Sequence, residues 1–201
     1  MRIIKVLGAC LVSVMPLTAW AVDPLGFYLG AGAGESTLQS TSLLPVQVYE
    51  HPSAWKVFAG WRPIQMFGAE VEYADLGSRN SSYISFANAT SNYQHASASA
   101  VGAFLVGYLP QPLPYLDFYG KVGAAELHTN ISNTTTAYPL PLSCGPACTT
   151  VLGQNTSNVR FAYAAGMQLK FGAPAVRLEY LGFTTSGGDQ SLLSLDLAWN
   201  F

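Results

Sequence analysis

The residues whose types and spacing could do chemistry are few. His95 and Ser97 stand two apart, as an imidazole and a hydroxyl on one face of any extended segment that holds them. Three histidines, His51, His95 and His128, fall near the ends of polar segments, but nothing in their spacing demands a metal. Cys144 and Cys148 enclose Gly-Pro-Ala, one residue too many for a redox dithiol motif. They read instead as a disulfide that staples a loop in an oxidising compartment. The remaining candidates are charges set among apolar residues: Lys56, Glu70, Glu72, Lys121, Lys170, Arg177, Glu179 and Asp196.

Composition decides what can position these groups. Charged residues make up 10% of the 201 residues and hydrophobic ones 50%, whereas an ordinary globular chain is ~25% charged. Beyond the N-terminus no apolar run approaches the ~20 residues of a membrane helix. Strands facing lipid or a large core remain. The mature chain carries no basic footprint for nucleic acid, and no cofactor motif stands out.

Residues 1–21 read as a cleaved signal peptide, with Arg2 and Lys5, an apolar centre from Val6 to Leu17, and Ala19-Trp20-Ala21 at the cleavage site. Leu7-Gly8-Ala9-Cys10 offers a competing lipoprotein reading through Cys10, and either implies export. Residues 22–201 form one domain, in which alternation predicts eight strands. They are Leu25–Ser36, Ala54–Arg62, Phe67–Leu76, His95–Leu109, Leu116–Leu127, Val159–Phe171, Ala175–Phe183 and Leu193–Phe201. The segments between them alternate long and short, Gly77–Gln94 and His128–Asn158 being long polar loops.

Each strand sets an apolar stripe against glycine and charge. The last puts Leu193, Leu195, Leu197, Trp199 and the terminal Phe201 on one face. The fourth is apolar on both faces, and Phe104, Val106 and Tyr108 are expected toward lipid. A soluble eight-stranded barrel of the lipocalin kind also alternates, but its outer face would need far more charge than this chain has. Aromatics at strand ends, such as Trp55 and Trp61, suit interfacial girdles. The expected fold is an all-β, eight-stranded antiparallel up-and-down transmembrane barrel with short periplasmic turns and long extracellular loops.

GFYLGAGAGES, FGAEVEYADLGS, FYGKVGAAE and RFAYAAGMQLKF resemble the strand patterns of the OmpA-like eight-stranded outer-membrane barrels. With nothing after Phe201, the chain is similar to the short, OmpX-like members. The resemblance implies a Gram-negative outer-membrane location among lipid and lipopolysaccharide. It also implies that the barrel-assembly machinery reads Leu197, Trp199 and Phe201. Related short barrels are often adhesins or resistance factors, and the loops, with Tyr49, Tyr83, Phe86, Tyr93 and Tyr138 amid Asn, Ser and Thr, suit a host or surface ligand.

The eight inward charges, four of each sign, are expected to form a salt-bridged plug. The function expected is therefore non-enzymatic, structural and surface-interacting, of the adhesin or envelope-integrity type. The alternative is a small-conductance channel. A third reading is a lipid A-modifying enzyme, because His95-Ala96-Ser97 resembles the His-x-Ser of lipid A deacylases. Those enzymes place an asparagine after the serine, and here Ala98 follows.

Overall fold

The computed structural model describes residues 25–37, 52–85, 90–110, 113–137, 148–184 and 190–201. The expected signal peptide with its cleavage site at Ala21, the competing Cys10 site, His51 and Cys144 lie outside these residues. So does the side chain of Cys148, and with it the expected disulfide.

Eight strands run β1 Gly26–Thr37, β2 Ser53–Arg62, β3 Phe67–Ser85, β4 Thr90–Leu109, β5 Leu116–Ala137, β6 Cys148–Lys170, β7 Pro174–Phe183 and β8 Gln190–Asn200. Each pairs antiparallel with the next, and β8 returns to β1 to close the barrel. Closure answers the main cost of strands in lipid, where no water is present to satisfy a free edge. The chain end takes part: Phe201 N–H donates to Phe27 O at 2.9 Å.

Period-two alternation holds around the wall. Phe27, Leu29, Trp55, Trp61, Val71, Val122, Phe161, Leu178, Leu195 and Leu197 are exposed, while Tyr28, Lys56, Glu70, Lys121, Arg177 and Asp196 are buried inside. Aromatic pairs mark the apolar band, Phe27 on Trp61 toward the short turns and Trp55 on Tyr73 toward the long connections.

Two expectations are corrected. The first concerns β4. Phe104, Val106 and Tyr108, expected toward lipid, are buried in the lumen, and Val101, Leu105 and Leu109 face out. The neighbours impose this parity, because Phe104 is the partner of Glu70, and Val106 of Lys121. Residues directly opposite share a face, so placing these apolar side chains outward would carry buried charges into lipid.

The second concerns length. Gly77–Gln94 and His128–Asn158, expected as loops, are largely strand. β3 and β4 stay paired out to Ser85 and Thr90, and β5 and β6 out to Ala137 and Cys148. Because β4 and β5 pair over the whole length of β4, the two hairpins form one four-stranded sheet standing beyond the barrel.

Candidate functional site

The glycines of β1 shape the lumen. Gly32 lies between Lys56 of β2 and Asp196 of β8, and a Cβ there would sit 1.9 Å from Asp196 Oδ1. Gly30 makes the same room for the Phe58 ring. Bulk removed from one wall admits long charged side chains from the others, as a barrel of eight strands requires.

Those side chains meet in a central layer. Lys121 Nζ contacts Glu70 Oε1, and lies 3.0 Å from Glu72 Oε2 and 2.8 Å from Glu179 Oε2. Lys56 Nζ lies 2.6 Å from Glu179 Oε1, 3.0 Å from Asp196 Oδ2 and 3.7 Å from Glu72 Oε1. Arg177 bonds Glu70 Oε2 through Nη1 at 3.0 Å and Gln168 Oε1 through Nε at 2.6 Å. The tyrosines complete it: Tyr28 donates to Glu70 Oε2 at 2.8 Å and Tyr119 to Glu179 Oε2 at 2.6 Å. The Arg177 guanidinium lies 4.5 Å from the centre of the Tyr28 ring and 4.8 Å from that of Phe58. Every charge therefore has an opposite charge in reach, which offsets the several kcal/mol of desolvation that each buried ion costs.

A second group sits nearer the short turns. Asp117 binds Arg62 Nη1 at 2.9 Å and Lys170 Nζ at 3.0 Å. Arg62 also donates to the carbonyl of Gln65 and lies 3.8 Å from the centre of the Tyr108 ring. Seven of the eight expected lumen charges thus meet in the central layer, and Lys170 stands apart with Asp117. Arg62, Asp117, Tyr28, Tyr119 and Gln168 are the hydrogen-bonding and ion-pairing side chains of these two groups that sequence reasoning did not include. Their inward parity was visible; their partners belong to other strands.

On the other side of the central layer the lumen is mostly apolar, with Ser36 donating its hydroxyl to the Leu76 carbonyl. Ala54, Ala74, Ala100, Ala162, Ala164, Leu181 and Leu192 are buried together, with Leu76, Ala98, Leu127 and Phe183 beyond them. Inward positions of this half are mainly alanine and leucine rather than glycine and charge, and they pack between the charged layer and the long-connection end.

The other candidates fall elsewhere. His95 and Ser97 share the outward face of β4, where His95 Nδ1 meets Asn80 Oδ1 at 2.6 Å. Glu70 and Glu72 point into the lumen on the opposite side of the wall, so neither carboxylate can orient that histidine. His128 is exposed, its Nε2 lying 3.9 Å from Glu126 Oε1. Among the described residues no three His, Cys, Asp or Glu side chains gather as a metal site would need. Leu197, Trp199 and Phe201 are exposed on the lipid face beside the β1–β8 seam.

Solved structures that share the fold include those of three bacterial proteins. Ail, the attachment invasion locus protein of Yersinia pestis, is 12% identical with a TM-score of 0.54, over 88% of this chain and 99% of that one. The N-terminal β-barrel domain of Pseudomonas aeruginosa OprF is 11% identical with a TM-score of 0.53, covering 88% and 98%. Neisserial surface protein A is 12% identical with a TM-score of 0.50, covering 88% and 97%. No curated protein matches the sequence. The family profile of the outer membrane protein beta-barrel domain matches residues 7–201. With closure, parity and an apolar outer wall already in place, this match means that the chain belongs to the outer-membrane β-barrel family.

Proposed function

We propose that this protein is a non-enzymatic barrel of the Gram-negative outer membrane that holds out a rigid sheet for contact with surfaces or proteins beyond the cell. The observation that carries this reading is the edge of β6. β7 pairs with β6 only from Ala162 onward. From Cys148 to Arg160, β5 is the sole strand partner of β6 among the described residues.

Proteins usually protect such an edge with proline or charge. Here the stretch Thr149–Asn158 has neither, and Val151, Leu152 and Val159 are more than half exposed. An edge left unpaired among the described residues accepts an extended segment by backbone hydrogen bonding. The interior supports a structural rather than a conducting role, since the ion-paired layer lies beneath apolar packing. The same reading includes cleavage after Ala21, a Cys144–Cys148 disulfide, and recognition of Leu197, Trp199 and Phe201 during assembly. Among proteins of this fold, Ail bears the name attachment invasion locus protein, and one of its structures is a complex with the heparin analogue sucrose octasulfate.

The test is attachment of bacteria displaying the protein to cultured epithelial cells and to extracellular matrix. Wild-type cells should bind more than vector controls, and Val151→Lys with Val159→Lys should remove the gain at equal surface level. Attachment of wild-type cells no better than vector would sink this reading.

A further inference from the structure

Asp75, Ser99, His128 and Ser157 are direct partners across β3, β4, β5 and β6. Their side chains therefore form one row on the external face of the wall. Tyr73, Val101, Glu126 and Val159 make the row nearer the lipid, and Ser97, Asn130 and Asn155 belong to the row farther out. Serine at both β4 positions leaves a dip, with Asp75 and His128 on either side of Ser99 and Asn130 beside Ser97. The result is a polar trough of about 450 Å³.

Its rim is held in place. A bulge between Asp75 and Ser78, with Gly77 at φ +82°, lets the Gly77 N–H donate to Asp75 Oδ1 at 2.8 Å. On the far side Ser157 Oγ donates to Glu126 Oε1 at 2.5 Å. Tyr73 is braced by Trp55, their ring centres 5.4 Å apart.

We propose that this trough binds an uncharged, hydroxyl-rich pyranose, supplied sideways by lipopolysaccharide of the same leaflet. Sugar hydroxyls both donate and accept, and the trough offers a carboxylate acceptor in Asp75 beside the mixed donors and acceptors of Ser97, Ser99, Asn130 and Asn155. Tyr73 supplies an apolar ring at the edge. Among the described residues no lysine or arginine lines the trough, and the carboxylates of Asp75 and Glu126 repel a sulfated or phosphorylated sugar. The source follows from position. The trough begins one residue pair beyond Tyr73, Val101 and Val159, where the apolar wall ends, and it faces along the membrane plane. A neighbouring glycolipid meets that face; a ligand on another cell does not. The site goes beyond the β6 edge, which works through backbone groups, and the two can fail separately.

The test uses isotope-labelled protein in phospholipid nanodiscs, titrated with isomaltotriose and with sulfated isomaltotriose. The neutral sugar should shift the amide resonances of Ser97–Ser99 and His128–Asn130 saturably, and the sulfated one should not. Ser99→Phe fills the trough from an outward strand position and should weaken binding about tenfold or more; heat-modifiable gel mobility checks that the barrel still folds. Nanodiscs containing full-length lipopolysaccharide should move the same resonances, and deep-rough lipopolysaccharide, which lacks the outer sugars, should not. No saturable shift with isomaltotriose, an equal response to the sulfated form, or an unaffected Ser99→Phe would overturn the site. Equal shifts with deep-rough lipopolysaccharide would overturn the source.

Discussion

Replacing Lys121 by methionine keeps an unbranched apolar stem of similar length and removes only the charge. In the wild type this ammonium touches Glu70, Glu72 and Glu179 at once, fully buried. The central layer then falls from Lys56, Lys121 and Arg177 against four carboxylates to two cations against the same four. Removing one partner of a buried ion pair costs about 3–5 kcal/mol, or roughly two to three and a half decades in the unfolding equilibrium. With a urea slope of about 1–3 kcal/mol/M, the midpoint should fall by roughly 1–5 M. The assay is urea unfolding of protein refolded into phospholipid vesicles, followed by the gel mobility of unboiled samples.

Adding Glu72→Gln restores the original excess of a single negative charge, so the double variant should regain at least half of the lost stability. A Lys121→Met variant within about 1 kcal/mol of wild type would refute the argument, because an exposed pair contributes no more than that. A double variant as unstable as the sum of its parts would refute it too.

Other outcomes follow from the same geometry. Gly32→Leu should abolish the heat-modifiable band, since even its Cβ meets Asp196 Oδ1 at 1.9 Å. Wild-type protein in planar bilayers should show no openings above the detergent control, whereas Leu181→Ser with Leu192→Ser should admit water past the apolar layer and raise the conductance. Reductant should change the mobility of the boiled wild type and leave Cys148→Ser unmoved. His95→Ala should leave lipid A mass spectra of expressing cells identical to wild type.

Much of the barrel is legible locally, because the side-chain period of a strand is two whatever its neighbours do. Trp55, Val57 and Trp61 against Lys56 and Phe58, or Leu178 and Tyr180 against Arg177 and Glu179, separate lipid side from lumen side without any pairing information. β4 defeated that rule. Ala100 to Leu109 contains no charge to mark the inner face, so either parity is equally apolar. Polarity was also a poor guide to where strands stop. Ser78–Ser85 and Thr149–Asn158 read as loop because they are hydrophilic, yet beyond the bilayer a paired strand is wetted on both faces and needs no apolar stripe.

What the sequence determines by itself is therefore which residues cannot face lipid: Lys56, Glu70, Glu72, Lys121, Arg177, Glu179 and Asp196 must turn inward wherever strands span a membrane. Tertiary structure decides which of them meet, and how far the strands extend. Lys56 finds Glu179 on β7, 123 positions away, and Asp75 lines up with Ser157 only through the registers of three successive strand pairs. Register is a relation between strands, fixed by the hydrogen-bonded ladder and by closure of β8 on β1, and no single stretch of the chain contains it.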